Sequence, residues 1–295
     1  MKIIFLGSVK FSKAVLESLI KSKKRYITGV IGGKKSNLNS DYADITLVAK
    51  SKNIPFFKTF NINNKKTFFW IRSQKPDLII CVGWSKIIKE SILKIPRYGV
   101  IGYHPSDLPA NKGKHPIIWS IFLGLKRIGS TFFLMNKKID SGKIISKKIL
   151  INKTNYNSSI IYSKLERLAG SQLKDILNKF FKYKKFKLLR QKKISSNYWR
   201  KRSFNDGNID FRMHSKTILN LVKSLNFPYP GARLFYKKKY IKVNKIKIKS
   251  IKDKNIEPGK IVKVIKKKPL IKTADGAIIL EEFQPKINFL VGDYI

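Results

Sequence analysis

Apolar residues in the first part of this chain come in short runs that stop at glycine or proline, and these runs alternate with stretches of helical spacing. Lys2 to Leu6 is an apolar run closed by Gly7; Val15, Leu16, Leu19 and Ile20 then recur at the interval of a helix over Ser12 to Ile20. A second run, Tyr26 to Ile31, ends at Gly32-Gly33, and a third, Leu78 to Val82, follows Lys75-Pro76-Asp77. Helical segments are predicted between them at Thr46 to Lys50 and Phe68 to Ile71. This βαβαβ rhythm predicts an α/β, Rossmann-like fold: a parallel, doubly wound sheet with right-handed crossovers.

Further helices are predicted over Ser85 to Leu93, Ile117 to Leu123 and Ile160 to Phe181, and Ser130 to Met135 with Ile144 to Ile151 reads as a strand pair. Lys182 to Lys193 is lysine-rich and lacks a pattern, so it reads as a linker. Beyond it a helix over Ser215 to Leu225 precedes short β-prone runs: Leu234 to Tyr236, Ile241 to Val243, Lys260 to Ile265, Leu270 to Thr273 and Ile278 to Leu280. Turn signals at Pro258-Gly259 and Asp275-Gly276 separate the later runs, which suggests a small open β-barrel. The expected division is a catalytic domain over residues 1–190 and a C-terminal domain, helix plus barrel, over 191–295.

Composition changes this picture little. At 295 residues with 43% apolar content, the chain can bury a core and is not wholly disordered. The formal charge of +47, from 64 Lys and Arg against 17 Asp and Glu, ordinarily points to nucleic acid or anionic membrane. Here the excess is mostly lysine, spread over the whole length among Ile, Asn, Phe and Tyr, as an AT-rich coding sequence would give; a recognition patch is more often local and bears arginine. Trp199-Arg200-Lys201-Arg202 is one such local cluster and a candidate anion site, with plain solvent exposure as its other reading. The single cysteine, Cys81, cannot close an intrachain disulfide, which suits a reducing compartment. Lys10 and Lys13 interrupt any leader-like apolar stretch and no segment approaches a membrane span, so a cytoplasmic location and no membrane partner are expected.

The first turn, Gly7-Ser8-Val9-Lys10, lacks the glycine pattern of a dinucleotide site. Gly32-Gly33-Lys34-Lys35 resembles a phosphate loop but lacks its Gly-Lys-Ser/Thr order, and reads first as a solvated turn, second as a place where Lys34 or Lys35 touches an anionic substrate. Of the three histidines, His214 opens a helix and reads as a cap, while His115 reads equally as exposed loop or substrate contact. No His, Cys and carboxylate spacing resembles a metal site, and no metal is expected.

The chemistry lies between residues 104 and 142. His104-Pro105-Ser106-Asp107-Leu108-Pro109 is followed by Gly113, Pro116, Trp119, Gly129-Ser130-Thr131 and Asp140-Ser141-Gly142, with His104 and Asp140 at predicted strand ends. An imidazole that titrates near neutrality can take a proton from an amine, and a carboxylate beside it fixes its tautomer. Taken singly, either residue reads as ordinary turn chemistry; the whole ordered block does not. It resembles the active-site region of the folate-dependent formyltransferases, whose pattern runs His-Pro-Ser-Leu-Leu-Pro, Arg-Gly, Pro, Trp, Gly-x-Thr and Asp-x-Gly. Met1 to Ser8, Cys81-Val82-Gly83-Trp84, Asp206 to Phe211 and Pro228 to Ala232 resemble further landmarks of that family, over nearly the whole chain.

The resemblance implies transfer of a formyl group from 10-formyltetrahydrofolate, with no metal, to a primary amine. His104 and Asp140 would be catalytic; Val82, Gly83, Trp84, Ile88, Ser141 and Gly142 would hold the folate; Lys112, Lys114, His115, Pro230 and Gly231 would meet the acceptor. Family members carry an Asn two residues before the histidine, suited to holding an oxyanion, where this chain has Gly102. The Gly102 backbone N–H, or Asn111 on the next loop, would then supply that donor. Short loop wording around Gly32 to Ala43, with Asp41 and Asp44, is most similar to the sugar formyltransferases, so a nucleotide-linked amino sugar is the preferred acceptor. Methionyl-tRNA is the alternative, a non-catalytic folate- or RNA-binding protein the second alternative, and a homodimer is left open.

Overall fold

The computed structural model describes residues 1–35, 40–192, 197–253 and 255–295. Of the predicted loop 32–43, residues 36–39 lie outside that description, as does Lys193 of the predicted linker. Contacts divide the chain into two compact units: Met1–Pro116, Arg127–Ile151 and Tyr162–Arg200 form the first, and Ile117–Lys126, Asn152–Ile161 and Lys201–Ile295 the second.

The elements follow the predicted alternation. In chain order they are β1 (Ile3–Gly7), α1 (Lys10–Lys23), β2 (Ile27–Gly33), α2 (Thr46–Ser51), β3 (Phe56–Thr59), α3 (Lys65–Ser73), β4 (Leu78–Cys81), α4 (Glu90–Leu93) and β5 (Val100–His104). There follow β6 (Lys112–Gly113), α5 (Pro116–Phe122), β7 (Arg127–Leu134), β8 (Ile144–Ile151), α6 (Ser158–Tyr183) and β9 (Tyr198–Trp199). The chain ends with α7 (Ser215–Ser224), β10 (Ala232–Tyr236), β11 (Lys239–Lys249), β12 (Ile261–Ile265), β13 (Lys268–Lys272) and β14 (Ala277–Gln284).

The large sheet runs β3-β2-β1-β4-β5-β7-β8. Its first five strands are parallel and its last two antiparallel. Every residue of β1 and β4 is buried, which is why both read as continuous apolar runs. From β1 the chain moves to β2 and β3 on one side, then returns to lay β4 and β5 on the other. Strand order therefore reverses between β1 and β4, and in such sheets a crevice forms beyond the carboxyl ends at the reversal. Among the described residues, no helix is long and apolar enough to cross a membrane.

Three segments depart from the sequence expectation. β3 was not anticipated, because four residues on a sheet edge carry too short a pattern. The helix expected from Ser85 shrinks to Glu90–Leu93, since Asn63 holds the approach extended: its Nδ2 donates to the Ile87 carbonyl at 2.8 Å and its Oδ1 accepts from Lys89 N at 2.8 Å. Within the predicted linker, Leu189 bridges Ile144 through two main-chain hydrogen bonds of 2.8 Å.

The second unit is built on an antiparallel sheet ordered β10-β11-β14-β13-β12, open at β10 and β12. Helix α7 turns Ile218, Leu221 and Val222 into the same apolar cluster as Ile241, Val243, Ile278 and Leu280. His214 occupies the N-cap position of α7, as expected, yet its side chain does not cap. The capping oxygen comes from Asp275 on the turn before β14, whose Oδ1 accepts from Ser215 N at 2.7 Å. That main-chain bond, ahead of all other causes, holds the Asp275 carboxyl down at about 2.

Because the Asp275 carboxyl is depressed in the folded chain, its contribution is present above the ordinary carboxylate range and is lost as pH falls toward its folded value. Asp275→Ala is expected to destabilise the second unit by about 1 kcal/mol at pH 7, as loss of a helix cap does. Thermal unfolding at pH 7 and pH 3 checks it; an equal effect at both would mean the ionised cap contributes nothing.

Candidate active site

At the strand-order reversal, the hydroxyl of Ser12 joins three pieces of main chain. It accepts from Ser8 N at 3.2 Å and Val9 N at 3.3 Å, and donates to the Val82 carbonyl at 2.6 Å. Gly83 follows with φ of +66°, and a Cβ there would stand 2.4 Å from Val9 Cγ2, so the close passage of the two turns requires glycine. Val82 and Ile88 are buried, and Trp84 packs partly buried in the cluster containing Cys81 and Ile88. Its indole Nε1 is buried and has no hydrogen-bond partner among the described residues. Such an orphan costs about 1–3 kcal/mol, and a bound acceptor would complete it.

His104 ends β5 and lies next to two oxygens. Its Nε2 is 3.1 Å from the Asn111 carbonyl, and its Nδ1 is 3.7 Å from Asp140 Oδ2. The side chains are 8% and 15% exposed, so solvent screens the pair little. Both ring nitrogens face acceptors, which a singly protonated ring satisfies one at a time. Asp140 stands at φ +49°, and its Oδ2 also accepts from Gly113 N at 3.1 Å. The loop after β5 is held independently: Thr131 Oγ1 donates to the Ser106 carbonyl at 2.7 Å, and Ser106 Oγ to the Ala110 carbonyl at 3.1 Å.

Gly102 sits two residues earlier in β5, paired with Cys81 of β4 and Phe133 of β7. The space a side chain would take is filled, since a Cβ would stand 2.8 Å from Met135 Cγ and 3.0 Å from Phe133 Cζ. Asn111, at φ +61°, is fixed through its main chain by Asn197 Oδ1 at 2.9 Å, while its carboxamide makes no hydrogen bond among the described residues.

The remaining expected contacts belong partly to the first unit and partly to the second. Lys112 is only 7% exposed, with its ammonium over the Tyr198 ring; Lys114 Nζ donates to the Ser85 carbonyl; His115 takes φ +53°. Ser141 Oγ bonds Asn136 Oδ1 at 3.0 Å and the Lys138 carbonyl at 2.9 Å, and Gly142 passes under Leu134, whose carbonyl oxygen would lie 1.6 Å from any Cβ. Pro230 and Gly231 belong to the second unit, where Gly231 takes φ +101° against Lys242. In the cluster read as an anion site, Arg202 donates to the Asp206 carbonyl and lies over the Trp119 ring at 5.3 Å. Lys34 lies over the Phe60 ring at 5.2 Å.

Sequence reasoning missed a carboxylate cluster beside α1. Tyr162 OH donates to Asp41 Oδ2 at 2.6 Å and accepts from Phe11 N at 2.9 Å. Burial pushes the Asp41 carboxyl up despite that bond. Glu166, one helical turn beyond Tyr162, is pushed up to about 7, first by burial and then by the charge of Asp41. A sequence signal did exist, in that Asp41, Tyr162 and Glu166 are polar positions flanking apolar ones, but nothing local pairs residues so far apart.

Comparison with known proteins bears on this geometry. Residues 1–177 match the family model described as formyl transferase, and residues 202–288 match that of the formyl transferase C-terminal domain. Methionyl-tRNA formyltransferase of Clostridioides difficile (strain 630) is 30% identical over 316 residues, covering 100% of this chain and 96% of its own. Among solved structures, WlaRD, a sugar 3N-formyl transferase studied with dTDP and 5-N-formyl-THF, superposes with a TM-score of 0.70 at 21% identity, covering 98% of this chain and 99% of that one. Methionyl-tRNA formyltransferase from Clostridium thermocellum superposes with a TM-score of 0.62 at 18% identity, covering 84% and 94%.

The raised Glu166 carboxyl makes a pH prediction. The folded chain holds this proton more tightly than the unfolded chain, so stability falls as pH rises from the ordinary carboxylate range through about 7, and the full penalty is present above it. Glu166→Gln removes that penalty. It is expected to raise Tm by roughly 2–4 °C at pH 8 and by nothing measurable near pH 4.5; an increment independent of pH would refute the buried-charge explanation.

Proposed function

The chain belongs to the formyl transferase family, and on that footing we propose that it is an enzyme moving a formyl group from 10-formyltetrahydrofolate to the amino group of methionyl-tRNA. The observation that carries the transfer is the convergence of His104, Asp140 and Asn111 at the carboxyl edge of β5. Trp84 and the Ser141-Gly142 turn are the folate contacts in this reading, with the unmatched indole N–H of Trp84 as the donor awaiting an acceptor.

The acceptor amine attacks the formyl carbon, forming the new C–N bond as the carbonyl electron pair moves onto oxygen. His104 takes the amine proton through Nε2, after the Asn111 carbonyl gives way, while Asp140 keeps the ring oriented from the Nδ1 side. The Asn111 carboxamide, free of competing bonds among the described residues, donates to the oxyanion. The carbonyl then reforms, the bond from carbon to N10 breaks, and His104 returns its proton to N10. The products are the formamide and tetrahydrofolate, with no covalent enzyme species.

Two things support the tRNA acceptor. Relatives of that name align with the whole chain, second unit included, at up to 30% identity. The second unit also exposes Phe204, Tyr240 and Phe235 at 63%, 54% and 53%, with ring centroids 5.9 and 5.0 Å apart, the Arg233 guanidinium over Phe204, and Lys237, Lys238 and Lys239 on the adjoining hairpin. Exposed rings among basic side chains are what stacks on and neutralises a polynucleotide. A nucleotide-linked amino sugar is the second reading, favoured by the end-to-end likeness to WlaRD.

The test is turnover of 10-formyltetrahydrofolate with methionyl-tRNA and with a panel of nucleotide-linked amino sugars. Formylation of the tRNA is expected, and His104→Ala should lower kcat/KM by about a hundredfold or more. Formylation of sugars alone would transfer the assignment to the second reading, and an unaffected His104→Ala would remove the mechanism.

A further inference from the structure

Asp140 can orient His104 only if its own backbone is held, and the residue that holds it lies in the stretch that read as a linker. Gln191 Nε2 donates to the Asp140 carbonyl at 2.9 Å and to the Gly142 carbonyl at 2.8 Å. One primary amide thus spends both of its protons on the two carbonyls that bracket Ser141. The orientation of the amide is dictated by these partners, because turning it over would set Oε1 against two carbonyl oxygens.

The clamp is itself anchored. Two residues upstream, Leu189 exchanges both main-chain bonds with Ile144, each 2.8 Å, so Gln191 is delivered from a fixed stretch of chain. On the other side, the turn it grips leaves no room to drift, with Gly142 against the Leu134 carbonyl and Leu134 N bonded to the Lys143 carbonyl at 2.8 Å. What remains undetermined without the clamp is the rotation of Asp140, a non-glycine residue at φ +49°, a region such residues enter at some energetic disadvantage. From that conformation its Oδ2 reaches Gly113 N and faces His104 Nδ1. Meanwhile Gln191 Oε1 is buried with no hydrogen-bond partner among the described residues, an unfavourable state that packing alone would not require of an amide.

We propose that Gln191 is a positioning residue for formyl transfer: its carboxamide fixes the Asp140 turn so that the carboxylate faces the His104 imidazole. The inference rests on the reading of His104 and Asp140 as the reacting pair, and it concerns a residue that touches neither substrate. Losing the clamp should lower kcat at saturating folate and leave KM for the acceptor nearly unchanged, since no acceptor contact is touched; KM for the folate should rise, because the clamp also holds the Gly142 carbonyl.

The experiment compares Gln191→Met, which keeps length and bulk but has no donor, with Asp140→Ala and the double variant, each confirmed folded by circular dichroism. Gln191→Met is expected to lower kcat between about tenfold and a hundredfold, and the double variant should be no slower than Asp140→Ala alone, because Gln191 acts through Asp140. Additive losses, or an unchanged kcat, would overturn the proposal. A second readout needs no turnover: the ring signals of His104 in two-dimensional NMR, assigned with His104→Ala, should move in Gln191→Met as they do in Asp140→Ala while those of His214 stay in place. Unmoved His104 signals would overturn the clamp even if the rate fell. An active His104→Ala would instead defeat the proposed mechanism and leave the clamp to be judged by the NMR comparison.

Discussion

A single hydroxyl, that of Ser12, lies at the point on which the first unit turns. It is wholly buried, takes up the N–H groups of Ser8 and Val9, and returns its own proton to Val82. Those bonds satisfy main-chain groups that the strand ends leave open, and they draw the turns after β1 and β4 together where strand order reverses. The approach is close enough that Gly83 tolerates no side chain. Trp84 is positioned by this junction, and the neighbouring parallel strand β5 brings His104 to the same carboxyl end of the sheet.

The proposed pair of His104 and Asp140 is assembled from unrelated supports. His104 is placed by a strand, Asp140 by a turn between two antiparallel strands, and Asn111 by a loop whose main chain Asn197 secures. Gln191 holds the carbonyls of the Asp140 turn and Asn197 holds Asn111 N, and none of these bonds uses a ring nitrogen of His104 or the Asn111 carboxamide. That division leaves the imidazole and the Asn111 carboxamide free to change partners during a reaction while their backbones stay where they are.

Charge plays two separate parts. Spread over the whole chain, the lysine excess raises the local concentration of anionic ligands without choosing among them. Selectivity requires local structure, and in the proposed function it falls to the second unit, where Arg233 lies over the Phe204 and Tyr240 rings and Phe235 packs beside Tyr240. In the first unit the scarce acids are used sparingly: burial raises the proton affinity of both Asp41 and Glu166 beside Tyr162, and the charge of Asp41 adds to the rise at Glu166.

Much of this was legible from residue order. Apolar runs ending at Gly7 and Gly32-Gly33 gave the parallel strands, because buried strands read as unbroken apolar runs, and the block from His104 to Gly142 named the chemistry through its ordered anchors. Other features were beyond its reach. The pattern ran on into a helix from Ser85, yet Asn63, more than twenty residues away, holds that segment extended. Lys182 to Lys193 read as a linker for want of periodicity, yet it carries Leu189 to Ile144 and Gln191 to the Asp140 turn. Sequence by itself determined which residue types were available and which local segments would become strands, since periodicity and turn chemistry are short-range properties. Only the tertiary structure decided which carbonyls Gln191 clamps, which acid sits beside Glu166 and what fills the space at Gly102, because those are hydrogen bonds and contacts between residues that the order of the chain does not make neighbours.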